Sequence, residues 1–149
     1  MAVEGAVVYG AVMLLLLALV LGGVGVFRYE QVACQAREAA RWASVRGGNW
    51  QQATGKSSPT QDEILQQAVL PLAAGMDPAK INIRVQWIDQ STGTAVDWDG
   101  APKDVRSPTA GGGYVTNTVR VTVSYEYAPQ FFITGSITVT STSEIPMSF

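Results

Sequence analysis

Histidine is absent from this chain, and cysteine occurs once. The first absence removes the commonest general base and the commonest metal ligand. The single Cys34 excludes an internal disulfide and any cysteine cluster for zinc or iron–sulfur. Charge is scarce as well: Asp, Glu, Lys and Arg make up 15% of 149 residues, where an ordinary domain carries about a quarter. The net charge is −2, and no stretch is basic enough for a nucleic-acid footprint. An enzyme, a resident cofactor and a nucleic-acid partner are therefore not expected. Asp97, Asp99 and Asp104 flank Gly100, but they lack the ligand number and closing glutamate of an EF-hand loop. Acids beside glycine read here as turn residues, and no metal is expected.

What the chain has in abundance is apolar sequence. Gly5 to Phe27 runs for 23 residues without a charge. As a helix this is roughly 35 Å long, enough for a bilayer core of about 30 Å. A secretory signal would need a basic segment before the run and a cleavage site after it. Neither is found, since Glu4 precedes the run and good helix formers follow it from Arg28 to Arg46. One helix over about 3–46 is predicted, roughly 66 Å long, with Gly47-Gly48 as its stop. Its first half is apolar on all sides and its second half amphipathic.

Small residues recur along it. Ala6 and Gly10 are four apart, as are Ala18 and Gly22, and Ala11, Ala18 and Gly25 repeat every seven. Such spacing lets helix backbones approach closely in apolar surroundings. Gly22, Gly23 and Gly25 each cost about 1 kcal/mol relative to alanine in a helix, so this segment is a candidate for local loosening or for close packing in an assembly. Further along, Ala33, Ala36, Ala40 and Ala43 form a stripe, with Tyr29, Val32 and Trp42 beside it as candidates for packing on the rest of the chain. Cys34 reads as a small buried residue of the same helix.

Residues 47–60 read as a loop. Thr60-Gln-Asp-Glu63 matches a capping box, and Ile64, Leu65, Ala68, Val69 and Leu72 give the face of a short helix limited by Pro71 and Gly75. Three runs then alternate with period two: Ile81 to Trp87, Val119 to Tyr127 and Ile137 to Ile145. A hairpin partner at Thr94–Trp98 follows Ser91-Thr92-Gly93, and a long loop fills about 99–114. Alternation of this kind predicts antiparallel strands covered on one face, with the amphipathic half-helix as the cover. The expected fold is α+β. An apolar helix half over 1–27 leads to a head-packing half over 28–47. A loop and short helix over 48–79 and an antiparallel β head over 80–149 follow.

Glu4 stands just before the apolar run, and a carboxylate carried into an apolar interior is expensive unless paired. The nearest cation in a packed helix array is the α-amine at Met1 of a neighbouring chain, since the first basic side chain is Arg28. Val3-Glu4, the apolar helix, Gly25-Val-Phe-Arg-Tyr29 and Ala36-Arg-Glu-Ala-Ala-Arg-Trp-Ala-Ser44 together resemble TadE-like pilins, relatives of type IV pilins in tight-adherence systems. The resemblance implies a precursor leader cut by a prepilin peptidase, residence in the inner membrane, and transfer by assembly machinery into a bacterial surface filament. It also implies that Glu4 neutralises a neighbour's N-terminus. Glu4 is fourth where such pilins usually carry glutamate fifth, and Gly10 stands where relatives often have proline. No leader precedes the run, so the chain reads as a mature one. The expected function is structural: a homo-oligomeric pilus subunit serving adhesion at the cell surface. The alternatives are a minor pilin that starts or tips a filament, and a monomeric membrane-anchored adhesin.

Overall fold

The computed structural model describes residues 2–128 and 135–148, with residues 2–4 and 6 described by their backbone alone. A single unbroken helix, α1 (Ala2–Ser44), dominates it. No proline interrupts this span, and its C-terminal half is built largely of strong helix formers. Its C-terminal end is closed by other parts of the chain, for the Ser44 carbonyl accepts the backbone N–H of Ser148 at 3.0 Å.

The second half of α1 carries the core. Val32, Gln35, Ala36, Ala39, Ala40, Ala43 and Ser44 are all buried, spaced at three and four residues. The sequence stripe is thus shifted: Ala39 joins it, and Ala33 lies half-buried at its edge. Cys34 is exposed rather than buried. At 100° per residue it points roughly 200° away from Val32, onto the opposite side of the helix.

The helix lies on a four-stranded antiparallel sheet of order β2-β1-β5-β6, formed by β1 (Ile81–Asp89), β2 (Thr94–Asp97), β5 (Thr118–Tyr127) and β6 (Ile137–Pro146). Between β2 and β5 a separate hairpin pairs β3 (Arg106–Pro108) with β4 (Tyr114–Thr116). In the main sheet, Val85 faces Val121 and Val123 faces Ser141 across the ladders. Val85, Trp87, Val119, Val121, Val123 and Tyr125 turn inward onto the alanines of α1. Small side chains there bring the helix close to the sheet. The opposite face is polar: Arg84 pairs with Asp97 at 3.1 Å, Arg120 with Glu144 at 2.9 Å, and Thr122 with Thr142 at 3.0 Å. One face covered and one face wet is the arrangement the period-two alternation predicts.

Two stretches read as loops hold regular structure. Residues 47–60 contain the helix α2 (Gly48–Thr54), which Gly48 begins rather than blocks. The Gly48 N–H donates to the Lys103 carbonyl at 2.8 Å, and a Cβ at Gly48 would stand 3.1 Å from that oxygen. A tertiary contact, with no local signal in the sequence, therefore selects glycine here. The long loop after Asp99 contains the β3–β4 hairpin. Buried Asn117 pins it, its Nδ2 donating to the Asp104 carbonyl and to Ser107 Oγ, both at 2.9 Å, and its Oδ1 accepting Gln90 N–H at 3.1 Å.

The short helix begins as expected. In α3 (Gln61–Ile64) the Thr60 hydroxyl accepts from the Glu63 N–H and the Glu63 carboxylate accepts from the Thr60 N–H, a complete capping box. It widens into a π turn at Leu65–Val69 and ends in a 3-10 turn at Leu70–Leu72. Pro71 has no N–H to continue the ladder. Ile64, Ala68 and Val69 are buried in the core with Val32 and Ala36. Trp98, wholly buried, holds this region by donating its indole N–H to the Pro59 carbonyl at 2.7 Å.

Candidate assembly surface

The N-terminal half of α1 projects beyond the core. Fourteen large apolar side chains between Val7 and Phe27 are exposed, among them Val7 at 69%, Leu14 at 67% and Leu19 at 68%. Exposure runs around the whole circumference, since Leu14, Leu15, Leu16 and Leu17 all appear among them. Fully burying one such side chain contributes about 1.5–3 kcal/mol relative to water. Summed over the segment, this exceeds the whole stability of a typical domain, about 5–15 kcal/mol. The segment is long and apolar enough to cross a membrane.

The sequence-predicted packing residues separate along this segment. Ala18, Gly22 and Gly25 line an apolar groove of about 510 Å³, closed on the other side by Tyr127, Ile137 and Val139 at the end of the sheet. Gly10 and Ala11 are exposed on the projecting rod. Among the described residues, a Cβ placed on Gly10, Gly22, Gly23 or Gly25 would find no atom within 4 Å beyond its own turn. No contact among the described residues therefore calls for glycine at these four positions. The helix is continuous through Gly22-Gly23-Val24-Gly25 in the single chain; the expected loosening concerns an assembly. Met1 and the side chains of Glu4 and Ala6 lie outside the described residues.

Of the three residues expected to pack on the head, Val32 is buried in the core and Trp42 rests half-buried against it. Tyr29 does not join them and is 51% exposed. It sits at the edge of the stripe, one turn before Val32, on the rod as it leaves the core.

Sequence reasoning missed the fastening at the base of the head. Arg28 reaches across to the turn after the 3-10 segment. Its Nη2 donates to the Gly75 carbonyl at 2.7 Å, and its Nη1 donates to Gln31 Oε1 at 2.7 Å and more distantly to the Ala74 carbonyl at 3.4 Å. Gln31 Nε2 donates to the same Ala74 carbonyl at 3.1 Å. A cation on the last carbonyls of a short helix is favourable. The first charge after a long apolar run, followed three residues later by glutamine, is the signal that marks it.

Two of the acids weighed as metal ligands have other partners. Asp97 pairs with Arg84, and Asp99 Oδ1 accepts the Gln61 N–H at 2.8 Å at the start of α3. Among the described residues no cluster of three or more His, Cys, Asp or Glu is arranged to hold a metal. In comparisons with protein-family models, curated proteins and solved structures, nothing matches this chain.

Proposed function

We propose that this chain is a pilin-like structural subunit, similar to the TadE-like pilins, that polymerises through α1 into an extracellular filament. The observation that carries this reading is the change of environment along one unbroken helix. From Val32 to Ala43 its buried stripe belongs to the head, whereas from Val7 to Val20 it is apolar on every side and exposed throughout. Such a rod needs lipid or other apolar helices around it. Its four glycines favour the second as the final state. Each costs about 1 kcal/mol in a helix, nothing among the described residues needs them, and close approach by a neighbouring rod gives them a use.

In this reading the subunit waits in the inner membrane and is moved by assembly machinery into a helical array, with the β heads outside. Transfer from lipid to sister helices gains far less than transfer from water, so extraction needs external work. Glu4 is the pairing group for a neighbour's α-amine. The proposed role of the filament is adhesion, as either its main or its initiating subunit.

The test is electron microscopy of sheared surface material from cells carrying the chain and its Glu4→Ala variant. Filaments containing the chain, lost or greatly reduced in the variant, are expected. Unimpaired assembly of the variant would remove the pairing role. Absence of filaments, with only monomers extracted by detergent, would favour the membrane-anchored adhesin and overturn the polymer.

A further inference from the structure

At the end of α1 away from the apolar rod, a second cleft opens between α1, α2 and the segment leading to α3. Its volume is about 420 Å³, within the range of small-ligand sites, roughly 300–1,000 Å³. Arg46 organises it. The guanidinium lies 4.0 Å from the Trp42 ring centroid and 5.4 Å from that of Trp50, and Nη1 donates to the Trp42 carbonyl at 3.1 Å. One cation thereby fixes two half-buried indoles that lie on different helices. Lys56 stands on the same wall. Among the described residues, no carboxylate lies within ion-pair distance of Arg46 or Lys56. Glu63 also lines the cleft, but one of its oxygens is held by the Thr60 N–H at 2.8 Å. Beside it stands exposed Gln67.

We propose that this cleft binds an acidic saccharide, with a uronate carboxylate on Arg46 and Lys56 and the sugar ring against Trp50. Two cations against the one carboxylate of Glu63 leave the cleft net positive, which favours an anionic group. Glu63 and Gln67 add acceptors for hydroxyl groups, which suits a sugar and not a bare inorganic anion. Indole offers the flat apolar face that the C–H side of a pyranose covers. A single-stranded nucleic acid would use the same ring and cations, but it tracks along an extended positive groove. This chain carries a net charge of −2, and only six basic residues follow Arg46. The cleft lies some fifteen residues beyond Phe27 along α1, roughly 22 Å, so it faces away from a membrane or filament core. The inference stands independently of polymerisation, because it is read on the dispersed subunit.

The experiment is calorimetric titration of the full chain in neutral detergent micelles with an oligouronate of four sugars. A neutral glucose tetrasaccharide and oligothymidylate serve as comparison ligands. The variants are Trp50→Ala and Lys56→Ala. No side chain of α2 is buried and Lys56 is exposed, so both leave the core intact; thermal melts of each check this. Saturable binding of the oligouronate is expected, weaker by about tenfold in each variant, the equivalent of one good contact. The neutral sugar should bind at least about tenfold more weakly, and added salt should reduce uronate affinity. No saturable binding, or binding by both variants as tight as that of the parent chain, overturns the site. Equal affinity for the neutral sugar overturns the acidic assignment, and tighter binding of oligothymidylate overturns the saccharide.

Discussion

At the scale of single residues, the head is held by a few buried polar groups with full sets of partners. Asn117 ties the β3–β4 hairpin to the main sheet through three side-chain hydrogen bonds. Its replacement by alanine leaves the buried Ser107 hydroxyl and the Gln90 N–H without this partner, each costing about 1–3 kcal/mol, while the Asp104 carbonyl keeps the Trp87 indole N–H at 2.9 Å. Asn117→Ala should lose about 3 kcal/mol of head stability in denaturant titration of the detergent-dispersed subunit. Glu144 has a different role. Its carboxyl is held below the ordinary glutamate range first by the Thr118 hydroxyl, which burial opposes, and then by the hydrogen bond and charge of Arg120. A lowered folded-state value means stability that is present above the unfolded value, about 4.3, and is lost as pH falls through the folded one. Glu144→Gln should therefore flatten the acid limb of the stability–pH curve, with little change in its shape above neutrality. The effect should be small, because the pair is partly exposed.

At the scale of elements, periodicity carried the reading a long way. The alternation in Ile81–Trp87 and Val119–Tyr127 is the pattern of a sheet with one covered face, and those strands form. Thr60 and Glu63 announce the start of α3 through local chemistry alone. What stayed illegible depended on contacts distant in sequence. Gly48 reads as a helix stop until the Lys103 carbonyl is seen beside it. The hairpin of β3 and β4 is short, and each strand is only three residues long, too brief for a period to show. Tyr29 and Cys34 were placed by neighbourhood in sequence, whereas helical angle and the reach of the head decide their exposure. The alanine stripe invites a direct test. Ala40→Leu forces an oversized side chain between α1 and the sheet and should destabilise the head by about 1–3 kcal/mol in the same titration. Cys34→Ser should be neutral, and Cys34 should react with a maleimide in the folded subunit at the rate of a free thiol, as read by mass spectrometry.

At the scale of the whole molecule, two surfaces of opposite character share one rod. The β head is covered where it meets α1 and polar outside, while the projecting half of α1 is uncovered. The exposed apolar surface was legible in outline from the 23-residue uncharged run, because a helix apolar on every side offers one head more surface than it can cover. The groove beside Gly22 and Gly25 was not, since its far wall comes from Tyr127, Ile137 and Val139. Dispersed in detergent, the subunit should sediment as a monomer, and removal of detergent should yield only polymers or aggregates, never a stable free monomer in water. Gly22→Leu together with Gly25→Leu should leave the melting of the detergent-held head within about 0.5 kcal/mol of the parent, because neither site meets the head core. The same pair should abolish ordered polymer, as seen by electron microscopy.

The continuity of α1 has a mechanical consequence. No linker separates the exposed apolar part from the part that holds the head, so tension on one is felt at once by the other. Load entering at the apolar end passes along the helix axis into the alanine-lined seam against β5 and β6, where many small contacts share the shear. Arg28, fastened to Gly75 where the rod enters the head, is placed to resist the first peeling step. A pull strong enough to strip the seam would unravel the head with the anchor still in place.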